Sequence, residues 1–174
     1  TVPMSSGRYY YSLTMTNVTL TGGTDLKDEY PKALLTVNSS STVTLNNVKT
    51  EKTVNAICAN GGSVTLNDCP SLTADNNVIT VNVYSTSSSA PKGKVTLNGT
   101  THVTGGKYGA VVTKGTLTMN GSAQVSNAEL TGVYVDVNGI FTMNSGSVQN
   151  NGSTDSGANG GGVFVAGTFT ANSN

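Results

Sequence analysis

Apolar and polar residues alternate along this chain in short bursts: an apolar residue, Thr, a second apolar residue and then, in most cases, Asn. The burst occurs as "LTMT" at Leu13, "VTLN" at Val43, Val64 and Val95, "LTMN" at Leu117, "FTMN" at Phe141 and "FTAN" at Phe169. Successive starts lie 30, 21, 31, 22, 24 and 28 residues apart, within the period range of solenoids and repeat arrays. Longer copies surround two of the bursts. "GTLTMNGSAQVSN" at Gly115 to Asn127 and "GIFTMNSGSVQNN" at Gly139 to Asn151 superimpose without a gap, Leu117 on Phe141 and Asn120 on Asn144.

A period of two with β-branched residues predicts a strand, with Val43 and Leu45 on an inner face and Thr42 and Thr44 on the outer one. After a Gly/Asn/Ser turn comes a lone apolar position, Val48, Leu72, Val103, Val125 or Val148, which reads as a very short second strand. A third apolar segment follows, as "ALLTV" from Ala33, "AICA" from Ala56, "VITVNVY" from Val78, "GAVV" from Gly109, "GVYVDV" from Gly132 and "GGVFV" from Gly161. Within it, a charge at Val111 is expected to be buried and costly. One such coil cannot bury its own apolar side chains, whereas stacked coils close a continuous core. The expectation is therefore an all-β, right-handed parallel β-helix of about six coils with three short parallel sheets. It forms a single domain over residues 1–174 and is a piece of a longer repeat array. Segments around residues 21–32, 84–94 and 149–160 are rich in turn-forming residues and read as corner loops.

Stacking turns equivalent positions into columns. Asn46, Asn67, Asn98, Asn120 and Asn144, with Asn172 beyond them, occupy one coil position. Their amides both donate and accept, so they are expected to bond from coil to coil at a bend. Thr44, Thr65, Thr96, Thr118 and Thr142, with Thr14 and Thr170 at the ends, form a second column on the outer face. Thr16, Thr42, Thr116 and Thr168 give part of that face a Thr-x-Thr pattern, which resembles ice-binding solenoids. Lys94 and Ile140 interrupt it. An exposed strand also selects Thr for its β-branched shape alone.

The pattern "GGVFVAGTFTAN" at Gly161 to Asn172, together with "GIFTMNSGSVQNN", resembles the parallel β-helix repeats of bacterial and archaeal adhesin-like surface proteins, within the pectin-lyase-like superfold. That resemblance covers nearly the whole chain. It implies an extracellular or cell-surface location and a stalk or adhesin-like module that binds glycans or host surface proteins through the corner loops, beside neighbouring domains of a longer chain. It also raises the alternative of a polysaccharide-active, pectate-lyase-like enzyme, because one superfold hosts many functions.

Charge and chemistry narrow these options. Nine basic and nine acidic residues leave no net charge, which disfavours nucleic acid and anionic membranes as partners. No run approaches the roughly 20 apolar residues of a membrane helix, so direct membrane insertion is not expected. Glycoside hydrolysis needs paired carboxylates, yet Glu51, Asp68, Asp75, Glu129, Asp136 and Asp155 are scattered singly, and Arg8 is the only Arg. Asp25, Asp28 and Glu29 cluster, but Lys27 and Lys32 flank them, as in a solvated loop. His102 has no Ser, Cys or carboxylate partner recognisable by spacing. No enzyme, no cofactor and no metal site is expected. Cys58 and Cys69 admit two readings, a pair of buried thiols or one disulfide. The Tyr residues, Tyr9, Tyr10, Tyr11, Tyr30, Tyr84, Tyr108 and Tyr134, fit either rim packing or stacking against sugar rings.

Overall fold

Burial of each inner face dictates the architecture. The computed structural model describes residues 11–22, 33–51, 55–75, 79–86, 91–152 and 161–172. The first coil is β1 (Tyr11–Thr16), β2 (Thr19–Thr21) and β3 (Leu35–Asn38); the second is β4 (Ser41–Asn46), β5 (Lys49–Glu51) and β6 (Ile57–Asn60). The third is β7 (Ser63–Asn67), β8 (Leu72–Ala74) and β9 (Ile79–Tyr84), and the fourth opens with β10 (Gly93–Asn98) and β11 (His102–Gly105). β12 (Tyr108–Met119) closes the fourth coil and, bending through the corner, opens the fifth, which continues with β13 (Gln124–Ser126). β14 (Thr131–Met143) does the same for the sixth, followed by β15 (Ser147–Gln149), β16 (Val163–Val165) and the last strand, β17 (Thr168–Ala171). All named strand pairs are parallel, and each coil contributes one strand to each of three faces. The protein is a parallel β-helix of six coils.

Column register explains the core. On the first face Leu13, Val43, Val64, Val95, Leu117, Phe141 and Phe169 lie on one another, as do Met15, Leu45, Leu66, Leu97, Met119, Met143 and Ala171. From β4 to β12 these side chains are buried. Phe141 stacks on Phe169 with ring centroids 5.0 Å apart. Each such side chain contributes about 2 kcal/mol on burial, against about 1 kcal/mol for a typical hydrogen bond, so the core holds the coils together. A one-residue slip of any strand would turn its Thr residues inward, which fixes the register.

Three sequence expectations change, and that for Val111, buried as expected, is refined. Val48 is buried in the first corner, not on the second strand; the position equivalent to Leu72 and Val103 is held by Thr50. Thr50 is 1% exposed, and a buried hydroxyl is costly unless paired. Its Oγ1 donates to Thr73 O (3.1 Å) and accepts from Thr73 N (2.8 Å), so the next coil satisfies it. The two long copies superimpose only as far as Asn120 and Asn144; beyond them Gln124 pairs with Ser147 and Val125 with Val148, a slip of one residue absorbed in the corner. Val111 is buried at 7% exposure but lies outside the core cluster, on the outer face in register with Asn82 and Tyr134, while Ala110 and Val112 fill the core. Thr16 belongs to the Asn column, not to a Thr-x-Thr pair, because it is in register with Asn46.

The third corner, where β12 and β14 bend, is built on Gly. A Cβ on Gly115 would land against the Gly93 carbonyl oxygen and 2.8 Å from a Val83 methyl, so the backbones meet there with no room for a side chain.

Candidate functional site

Among the described residues the outer side of the first face is a regular surface of seven strands, assembled one strand position at a time. Thr14, Thr44, Thr65, Thr96, Thr118, Thr142 and Thr170 stand in unbroken register over seven strands. The two end residues are exposed, and the five between them are half-buried by the rungs on either side. Beside them runs a less regular column of Ser12, Thr42, Ser63, Lys94, Thr116, Ile140 and Thr168.

On the other flank lies the Asn column. Asn67 Nδ2 donates to Asn46 Oδ1 (2.9 Å), Asn98 to Asn67 (2.9 Å), Asn120 to Asn98 (2.8 Å), Asn144 to Asn120 (2.8 Å) and Asn172 to Asn144 (2.6 Å). Asn46 donates in turn to Thr16 Oγ1 (3.3 Å), so the ladder joins all seven rungs, and every amide points the same way. The chain turns immediately after it. Asn17, Asn47 and Asp68 adopt positive φ of 58°, 51° and 50°, with Gly99 and Gly121 continuing the column. Asn and Asp tolerate this conformation because their short polar side chains bond locally. Asn47 Nδ2 donates to Asn17 Oδ1 (2.8 Å), while Asp68 Oδ1 accepts from Thr100 N (2.9 Å) and Thr100 Oγ1 (3.2 Å). Sequence reasoning missed this second column, although the dipeptides Asn46-Asn47, Asn67-Asp68, Asn98-Gly99 and Asn120-Gly121 signal it.

Inside the same corner Cys69 and Thr101 make equivalent contacts. Cys69 Sγ reaches Leu45 O (3.5 Å), and one coil further Thr101 Oγ1 donates to Leu66 O (3.1 Å) while accepting from Cys69 N (3.2 Å). Cys69 and Cys58 are both free and buried, which selects the thiol reading. Burial pushes the Cys58 thiol from 9.0 up to about 11, a hydrogen bond with Tyr84 offsetting part of the rise; Cys69 is pushed up for the same reason, burial.

The remaining candidates are dispersed. His102, for which spacing offered no partner, lies half-buried on β11 with its Nε2 2.6 Å from Ser126 Oγ, one coil away. The 22-residue offset between Val103 and Val125 held that signal, since it places Thr104 beside Ser126. Ser126 is 2% exposed, which closes its hydroxyl to an incoming substrate. Among the described residues no three His, Cys, Asp or Glu side chains gather as a metal site. Tyr134 stacks on Phe164 (4.8 Å between centroids) and meets Tyr108 edge-on (5.9 Å), so these rings pack on one another. Asp25, Lys27, Asp28, Glu29, Lys32, Asp155, Arg8, Tyr9, Tyr10 and Tyr30 lie outside the described residues, as do most of the corner loops. Comparison with protein-family models, with curated proteins and with solved structures found no match to this chain.

Proposed function

We propose that the chain is a non-catalytic β-helix module of an extracellular, adhesin-like surface protein, serving as a stiff stalk that displays its corner loops to glycans or host surface proteins. The observation that carries this reading is the Asn ladder. A run of amides bonded through every rung resists bending and shear between coils, and its residues are committed to one another and not to a ligand. The low charge of the chain fits contact with neutral glycans. Single-molecule pulling between the two ends tests the mechanical half. Stepwise release of single coils is expected, at forces that fall in Asn98→Ala; extension at negligible force would remove the stalk. Glycan and host-protein arrays test display, with binding expected to disappear on deletion of one corner loop.

A second reading, ice binding, draws on the seven threonines in register on an outward face. Thermal hysteresis that is lost in Thr118→Tyr supports it. No hysteresis in the intact chain rejects it.

A further inference from the structure

Net neutrality hides an uneven distribution of charge. Of the five lysines among the described residues, Lys49, Lys92, Lys94, Lys107 and Lys114, the three at 92, 94 and 114 gather at the third corner, where β10 starts and β12 bends. Gly93 pairs with Gly115 and Lys94 with Thr116, so Lys92 and Lys114 are neighbours one coil apart, and Lys94 follows on the same side of the strand. A Cβ on Gly93 would meet the Ala59 and Tyr84 backbones, and one on Gly115 a methyl of the core residue Val83. The glycines therefore face inward and the lysines on either side of them outward. Lys92 and Lys94 are exposed, and Lys114 is half-buried. Among the described acidic residues only Asp136 lies at this corner, and its carboxylate accepts from Val137 N (2.8 Å); Glu51, Asp68, Asp75 and Glu129 lie on the second strands or in the corners that flank them.

The fold does not ask for these charges. Like charges on neighbouring rungs repel, and Lys94 stands in a column that Thr42, Ser63 and Thr116 fill in the coils around it. Beside the lysines the surface turns apolar. Asp136 and Val137 together stand opposite Thr113, a bulge that turns Val137 out to 69% exposure, and Ile140, in register with Thr116, is exposed as well. Cations next to exposed apolar side chains on a regular sheet match a sugar polymer, which carries carboxylate or sulfate groups and has apolar ring faces. An acidic peptide has no edge to join as a strand here, because β10 and β12 are hydrogen-bonded on both sides. For the same reason the surface lies on the flank of the rod, where coils stacked beyond either end do not cover it. We propose that Lys92, Lys94 and Lys114, with Val137 and Ile140 beside them, form a binding surface for a linear anionic glycan. The inference rests on the glycan-display reading and adds to it the charge of the ligand and the place of contact.

The test uses the 174-residue chain with dextran sulfate and hyaluronate, which present their charge as sulfate and as carboxylate, and with neutral dextran. The wild type should bind at least one of the two acidic polymers at about 0.05 M salt, release it by about 0.5 M, and bind dextran far more weakly. Which polymer binds identifies the charged group. Lys92→Ser/Lys94→Thr should weaken that binding about tenfold or more, whereas Lys49→Ser/Lys107→Ser, which removes the same charge elsewhere, should bind as the wild type does. The proposal is overturned if neither acidic polymer binds, if dextran binds equally, or if the two double variants weaken binding to the same extent. Polyglutamate bound as tightly as the glycans also overturns it, since the surface then answers to charge alone. Glycan binding that Lys92→Ser/Lys94→Thr leaves intact rejects this site while display through the corner loops stands; no binding to any glycan rejects both. Should Lys92→Ser/Lys94→Thr lose its β spectrum, Lys92→Gln/Lys94→Gln replaces it with the same outcomes required.

Discussion

Asn98 shows what a single side chain contributes here: it donates to Asn67 and accepts from Asn120, so truncation strands two half-buried partners, not one. Asn98→Ala is expected to cost about 2–3 kcal/mol in urea unfolding, and Asn172→Ala, which breaks one bond at an exposed end, less than about 1 kcal/mol. Equal losses at the two positions would mean that the amides act otherwise than through the ladder. Cys58 makes a different kind of contribution. Its thiol is held up to about 11 from 9.0, so the folded state retains the proton more tightly than the unfolded chain does. That stabilisation is complete below pH 9 and is lost as pH rises towards 11. Unfolding free energies of the wild type and of Cys58→Ala, compared across this range, should converge by about 2–3 kcal/mol. Parallel curves would show that Cys58 titrates as it does in the unfolded chain.

At the level of the strand and its corner, Gly positions separate into those that a methyl group would obstruct and those it would not. Gly115→Ala should destabilise by several kcal/mol, because its Cβ meets the Gly93 backbone at a bend that strand pairing holds on both sides. Gly162→Ala has nothing within 4 Å of its Cβ and should melt within a few degrees of the wild type. A mild effect at Gly115 would mean that the third corner relaxes freely. The strands themselves were legible in the sequence because alternation reports directly on which side chains face inward, and the seven Thr and six Asn positions follow once the bursts are superimposed. Corners were less legible. Thr50 in the core has no hydropathy signature, since what admits it is the backbone of Thr73 one coil away. The outer face of the third strands misled for a related reason: Cys58, Asn82 and Val111 are buried there although they point away from the core, and a period-two pattern cannot report a face that is covered as well. The His102–Ser126 contact runs diagonally between adjacent coils, so it becomes legible only once the 22-residue offset that sets Val103 on Val125 is recognised.

Across the whole molecule, seven rungs on the first face at about 4.8 Å spacing give a rod roughly 30 Å long whose coils touch only their neighbours. Protection should therefore follow position along the axis. Hydrogen exchange is expected to be slowest in β7, β10 and β12, whose inner residues are buried, and fastest in β1, β2, β16 and β17, where no side chain is fully buried. Uniform protection would indicate a single all-or-none unit. The one-residue slip in the first corner carries a consequence for how such a chain tolerates change in length. Four residues separate the ladder position from the inward residue of the second strand in Asn46 to Thr50 and in Asn144 to Val148, but five do so in Asn67 to Leu72, Asn98 to Val103 and Asn120 to Val125, and every sheet stays aligned. A deletion there is absorbed before the next strand begins, whereas one inside a strand reverses every side chain beyond it. Deleting Ser122 should leave a folded protein, and deleting Thr118 should not, as a thermal melt of each would show. The corner is where the chain's reading frame is reset, and insertions and deletions can accumulate there without reaching the core.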